Sequence, residues 1–473
     1  MASSRGKSLA KNTMILTIGK ISTQAITFFL LPLYTAYLSR EDYGIVDLIA
    51  TIISLLFPIV NMQMEQALFR YMVVNRKDKI EQQKITSTAF TFTVFQILCF
   101  SLIFTAASPF IHNEYKWFLL INLIFGTINF MMMQFMRGIG DNIGYAVSAF
   151  ISSLTNIAVN LILILGFGLG ADSMLTAMAA GNIISISYIF IRSKFWRYYR
   201  TDNFERSRLK ELLSYSVPLI PNELSWWAIR ASDRFIVTAF LGAGPNGIIA
   251  IAHKFPSIYV MLYNIFGIAW TESVVLHLKE PGGETYFSSM TNRMLRIFSC
   301  ASLLMITVMP FVFSILINKN FDEAYYLIPL YLIGSVFNVV IGLVSTVYIV
   351  HKKTKIIAKT SIMAAVICLT VDVALVKFIG IYASPISSII GFGAMMLYRC
   401  IDIKKFVSVN WNYKYILTFS IVLVLAMISY YIRIDSICAV AFILSLVFVY
   451  YANKEDMTVL FNVIKKRLGI TKP

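Results

Sequence analysis

The chain has 473 residues, 58% apolar and only 14% charged, with a mean hydropathy of +0.73. Soluble domains carry about 25% charged residues, so charges this sparse cannot coat a water-facing surface, and a soluble or disordered chain is excluded. The net charge of +17 would suit a nucleic-acid partner, but the placement of the basic residues assigns it to membrane topology instead.

Apolar runs of about 20 residues, the length a helix needs to cross a bilayer, recur from end to end. They fall near 13–38, 43–69, 85–110, 117–136, 143–168 and 173–192. After a long basic break they resume near 213–241, 246–273, 296–317, 324–350, 357–379, 380–400, 414–432 and 436–452. Fourteen spans are expected. Backbone groups in lipid must be bonded internally, and the runs do not alternate as barrel strands would, so each span reads as a helix. The first keeps Lys20, Ser22, Thr23 and Gln24 in its middle, which suits a retained helix and not a cleaved signal peptide.

Lys and Arg set the orientation. With the N-terminus in the cytoplasm, 32 of the 41 fall in internal segments. Both termini are then cytoplasmic, and the basic excess faces an anionic inner leaflet. Nucleic acid drops out as a partner. The external breaks are short, leaving no room for the soluble domain a polysaccharide polymerase or glycosyltransferase would need.

The chain repeats itself. Tyr34–Val46 lies over Val237–Ile249 at an offset of 203 residues, matching Thr35 to Thr238, Ala36 to Ala239, Leu38 to Leu241, Gly44 to Gly247 and Ile45 to Ile248. Both copies sit at the external turn between a first and a second span. A six-helix unit is even, so the copies insert in parallel. The expected fold is an all-α integral membrane protein of about fourteen transmembrane helices, in two parallel six-helix lobes plus two C-terminal helices. Its divisions are an N-lobe at 1–192, a basic cytoplasmic linker at 193–212, a C-lobe at 213–400, and helices 13–14 with a basic tail at 401–473.

The hairpin ending in Tyr43-Gly44-Ile45, and the stretch Pro218–Trp227 followed by Asp233-Arg234, resemble the bacterial polysaccharide flippases. These Wzx-type, O-antigen transporters share a superfamily with multidrug/cation antiporters and the peptidoglycan-precursor flippase. The resemblance implies a non-enzymatic transporter in the bacterial inner membrane. It would move an undecaprenyl-diphosphate-linked oligosaccharide to the periplasmic or outer leaflet for O-antigen, capsule or similar synthesis. Other polysaccharide-assembly membrane proteins are implied as partners. The alternatives are a cation-coupled multidrug exporter of the same superfamily and a membrane polymerase or glycosyltransferase.

An ionisable residue deep in a bilayer costs about 2.5–3.5 kcal/mol or more, which marks it as a functional candidate. The seventh span holds Glu223, Trp227, Arg230 and Arg234 at spacings that place them on one helix face. Pro218 and Pro221 should break the helix at its inner end. Arg230 and Arg234 present planar guanidinium forks suited to a diphosphate, and Trp227 offers a ring for sugar stacking. Lys254, at similar depth in the eighth span, is expected to join them. Lys20, whose repeat counterpart is Glu223, is expected to meet it as an inner gate. Asp372, Asp233 and Glu223 are the candidates for gating or for coupling to H+ or Na+. Asp47, Glu65 and Glu272 read as solvated span ends, and Arg70 as a positive-inside anchor.

No G-x-x-x-x-G-K-[ST] loop occurs, so ATP hydrolysis by this chain is not expected. His112, His253, His277 and His351 lack ligand spacing, and the five cysteines are single, so neither metal nor cofactor is expected. Phe130–Gln134 reads as packing, and Phe195–Arg200 as an interfacial anchor.

Overall fold

The computed structural model describes residue 28 and residues 30–454, apart from the side chains of Arg230 and Ile268. Lys20, most of the first expected span and most of the basic tail lie outside the described residues. What is described is α-helical, with contacts grouped into two units, residues 1–247 and 248–473.

The first unit contains α1 (Leu31–Tyr37), α2 (Arg40–Val60), α3 (Met64–Val74), α4 (Lys79–Ala107), α5 (Lys116–Ile139) and α6 (Asn142–Leu161). It continues with α7 (Ala171–Ser193), α8 (Arg206–Ser216) and α9 (Ile220–Leu241). α10 (Ala243–His277) starts in the first unit and runs on in the second. The second unit adds α11 (Gly283–Leu316), α12 (Glu323–Val350), α13 (Thr354–Ile379), α14 (Ala383–Asp402), α15 (Tyr413–Ile432) and α16 (Asp435–Ala452). Among the described residues, eleven stretches are long and apolar enough to cross a membrane. That is three fewer than expected. Most of the first span lies outside the described residues, α13 and α14 merge into the single stretch Thr354–Lys405, and α9 is disqualified by its own charges. The chain is a multi-pass membrane protein.

The contacts place α9 in the first unit, against α2. The division at 193–212 read from the repeat concerns repeat copies, and remains a proposal about them.

The second expected span, 43–69, is not one helix. Pro58 inside α2 removes an N–H, leaving the Ser54 carbonyl without its helical donor. α2 ends at Val60, and Met62 and Gln63 turn left-handed, with φ of 49° and 54°. α3 restarts at Met64. A left-handed non-glycine residue costs about 1–2 kcal/mol, so neighbours must hold this break in place.

α2 begins with a capping box in which the Ser39 hydroxyl accepts from the Asp42 N–H at 3.0 Å. One turn later the repeat becomes physical contact. A Cβ on Gly44 would stand 1.8 Å from the Ala243 carbonyl oxygen, and one on Gly247 would stand 2.2 Å from that of Arg40. The Asn246 amide donates to the Gly44 carbonyl at 2.9 Å. The two glycines paired by the 203-residue offset lie backbone to backbone, which only glycine permits.

The core below the break holds Met64, Leu68 and Met72 of α3, Met131 and Phe135 of α5, and Phe195. Met131 thus packs as expected. Phe195 does not anchor at an interface: it is 6% exposed, between the rings of Phe90 and Phe135, while its neighbour Trp196 is exposed. In the second unit α15 and α16 pack on α11. Tyr325 and Tyr430 stack at 4.1 Å, each hydroxyl donating to the other's carbonyl.

Candidate functional site

The site forms where α9 crosses the broken pair α2–α3. A 3-10 turn over Val217–Leu219, carrying Pro218, separates α8 from α9, so the prolines interrupt the helix where the sequence placed them. From there α9 runs antiparallel to α2. The Trp227 indole N–H donates to the Thr51 carbonyl at 3.2 Å and to the Ser54 hydroxyl at 3.0 Å. Two turns on, Arg234 Nε meets Asp47 Oδ2 at 2.7 Å, and Arg234 Nη1 meets Asp233 Oδ1 at 3.4 Å.

This overturns one expectation. Asp47 is not a solvated span end; its side chain is 19% exposed and pairs with Arg234. Arg234, at 14% exposure, is neutralised across helices as well as within its own. A cation in low dielectric demands such partners.

Below the ion pair lies a cavity of about 350 Å³. α2 contributes Ser54, Phe57 and Pro58 to its wall. The break and α3 contribute Gln63, Glu65 and Gln66; α9 contributes Glu223, Trp226, Trp227 and Ala231. Phe130 of α5 closes one side, edge-on to Phe57 at 5.1 Å. Phe130 therefore faces a cavity, unlike the neighbouring methionines that pack.

Glu65 was expected in water and is 1% exposed. The Asn61 amide donates to its Oε2 at 2.5 Å, and the Thr93 hydroxyl donates to Asn61 Oδ1 at 3.4 Å. The break thus carries its own hydrogen-bonded acid. Sequence reasoning missed this because it drew one uninterrupted helix over 43–69. The signal available was Pro58 followed by Asn61, Gln63, Glu65 and Gln66 inside an apolar run.

Of the predicted site residues, the structure brings Glu223 and Trp227 to this cavity, with Asp233 and Arg234 further along the same helix. Arg230 lies on α9 one residue before Ala231, with no side chain described. Lys20 lies outside the described residues, so its meeting with Glu223 does too. Lys254 and Asp372 belong to the second unit, on α10 and α13. Asp372 is 1% exposed, Lys254 is half-buried, and Glu272 is exposed as expected. Arg70 is exposed with its guanidinium 5.4 Å from the centre of the Tyr215 ring.

A family model described as polysaccharide biosynthesis protein matches residues 9–271, more than half of the chain and all of this site. The chain belongs to that family. An "Uncharacterized membrane protein" of Haemophilus influenzae is 21% identical over 401 residues, covering 81% of this chain and 94% of that protein. Among solved structures, the lipid II flippase MurJ in an inward closed conformation aligns with a TM-score of 0.72 at 16% identity, covering 94% of this chain and all of that one. An inward-facing multidrug resistance MATE transporter of the MOP superfamily aligns at 0.66 and 12% identity, covering 82% of this chain and 98% of that one. At these identities the likeness establishes the shared fold.

Proposed function

We propose that this chain moves an undecaprenyl-diphosphate-linked oligosaccharide from the cytoplasmic to the outer leaflet of a bacterial plasma membrane by alternating access, for cell-surface polysaccharide synthesis. The observation that carries the reading is a polar, indole-lined cavity beneath a buried arginine, inside the segment that places the chain in its family. A diphosphate cannot cross hydrocarbon bare. Arg230 and Arg234 are the proposed holders of that group, with Lys254 and Lys20 as further cations. Arg234 would exchange Asp47 and Asp233 for phosphate oxygens, a trade of like for like in charge. Trp227, its indole N–H tied to α2, keeps a fixed ring at the cavity wall. Asp233 and Glu223 are proposed in gating, and Asp372 in coupling to a proton or sodium gradient.

The test is flipping of a fluorescent polyprenyl-diphosphate oligosaccharide in proteoliposomes. The double variant Arg230→Gln, Arg234→Gln should abolish it at normal protein level; full activity would remove the cationic mechanism. Asp372→Asn should remove gradient dependence, and unchanged dependence would take Asp372 off the coupling path. A second reading, a cation-coupled drug exporter, is favoured by the two carboxylates in the cavity. It requires gradient-driven efflux of a lipophilic cation such as ethidium, which the flippase reading does not predict.

A further inference from the structure

The cavity wall carries a polar amide at the break between α2 and α3. Gln63 is 5% exposed and lines the cavity, and its side chain does not cap α3. The left-handed backbone that presents it costs about 1–2 kcal/mol, so neighbours hold this amide at the cavity wall against that cost. An amide offers both donors and an acceptor. Beside it stand Glu65 and Glu223, which accept, and the rings of Trp226 and Trp227. Ring faces for C–H groups, an amide for hydroxyl or acetamido groups, and carboxylates for hydroxyl or ammonium hydrogens together match a pyranose.

We propose that this cavity is a sugar subsite that accepts a neutral or amine-bearing sugar of the lipid-linked oligosaccharide and discriminates against a uronate. The inference rests on the flippase reading above. Gln63 recognises the sugar's polar edge, and Glu65 and Glu223 set the sign of the charge that can enter. An ammonium gains from both the carboxylates and the indole faces. A uronate carboxylate would meet like charge in a site of low dielectric, where such repulsion is poorly screened. The diphosphate stays with the arginines of α9, so the two ends of the head group are sorted by charge.

The test uses the full chain in nanodiscs with three synthetic polyprenyl-diphosphate sugars, bearing N-acetylglucosamine, glucosamine or glucuronic acid. Competition against a labelled lipid gives each affinity. The first two should bind at least about tenfold more tightly than the third, a factor of ten being one ordinary polar contact. Glu223→Gln, at an exposed position that tolerates change, should narrow that gap by about threefold or more. Gln63→Leu should weaken the N-acetylglucosamine compound by about tenfold. Equal binding of all three, or a gap untouched by Glu223→Gln and Glu65→Gln alike, would overturn the sugar selectivity while leaving the flippase reading in place. Failure of all three to bind would overturn both.

Discussion

Arg234 and Arg399 are both largely withdrawn from solvent, and they are satisfied in opposite ways. Arg234 of the first unit is met by carboxylates, Asp47 at 2.7 Å and Asp233 at 3.4 Å. Arg399 of the second unit is 1% exposed, and among the described residues no carboxylate pairs with it. Its guanidinium donates to the Thr360 hydroxyl at 2.9 Å, Ser345 at 2.6 Å, Ser361 at 3.2 Å and the Ile357 carbonyl at 3.0 Å. Those acceptors sit on α12 and α13, and the hydroxyls of Ser345 and Thr360 donate in turn to their own helices. A cation held by neutral groups anchored in two neighbouring helices is a fastener. A cation held by anions is an electrostatic pair, and its guanidinium fork is of the kind that also accepts a phosphate.

Removing each guanidinium separates the two cases. Arg234→Met strands Asp47, and should cost about 3–5 kcal/mol, the range for breaking a buried pair. Thermal unfolding in detergent would read this, and adding Asp47→Asn should restore much of the loss. Arg399→Met strands no charge, so its cost should stay near 1–2 kcal/mol despite the larger number of bonds. A loss at Arg399 equal to that at Arg234 would break the distinction.

A third arginine sharpens the lower end. Arg433 grips Asp322 with both Nη atoms, at 2.6 and 2.7 Å, but the side chains are 36% and 41% exposed. Arg433→Met should cost only about 0.2–1 kcal/mol. The bonded guanidinium holds the Asp322 carboxyl below the ordinary carboxylate range. A depressed folded-state pKa contributes stability above the unfolded value, near 4, and that contribution fades as pH falls through the folded value. The Arg433→Met difference should therefore be present at pH 7 and shrink below about pH 4. A difference independent of pH would dismiss the pair.

The same contrast explains what was legible in the sequence. The helical spacing of Glu223, Trp227 and Arg234 put them on one face of α9, and Pro218 showed where the helix is interrupted. The partner of Arg234 is 187 residues away in the chain, and no local pattern points to it. Arg399 is, in the sequence, only one more basic residue, since the hydroxyls that bury it are ordinary helix residues until three helices meet. The break at 61–63 was hidden because none of its residues is a glycine or proline, although Pro58 stands close by. Span number suffered for the opposite reason: α9 carries too many charges to count as apolar.

The touching glycines bear on ancestry. Counterparts in a repeat meet each other only near the axis that relates the copies, as identical residues do at the centre of an isologous dimer. Were the chain descended from a single six-helix unit paired with itself, one glycine would have faced its own image, and any mutation there would have struck twice. Gene fusion frees the two positions to vary separately. The geometry withholds that freedom, because a Cβ on Gly44 meets the backbone of Ala243 and one on Gly247 meets the backbone of Arg40. No compensating side chain exists to be trimmed, so each copy keeps its glycine on its own account.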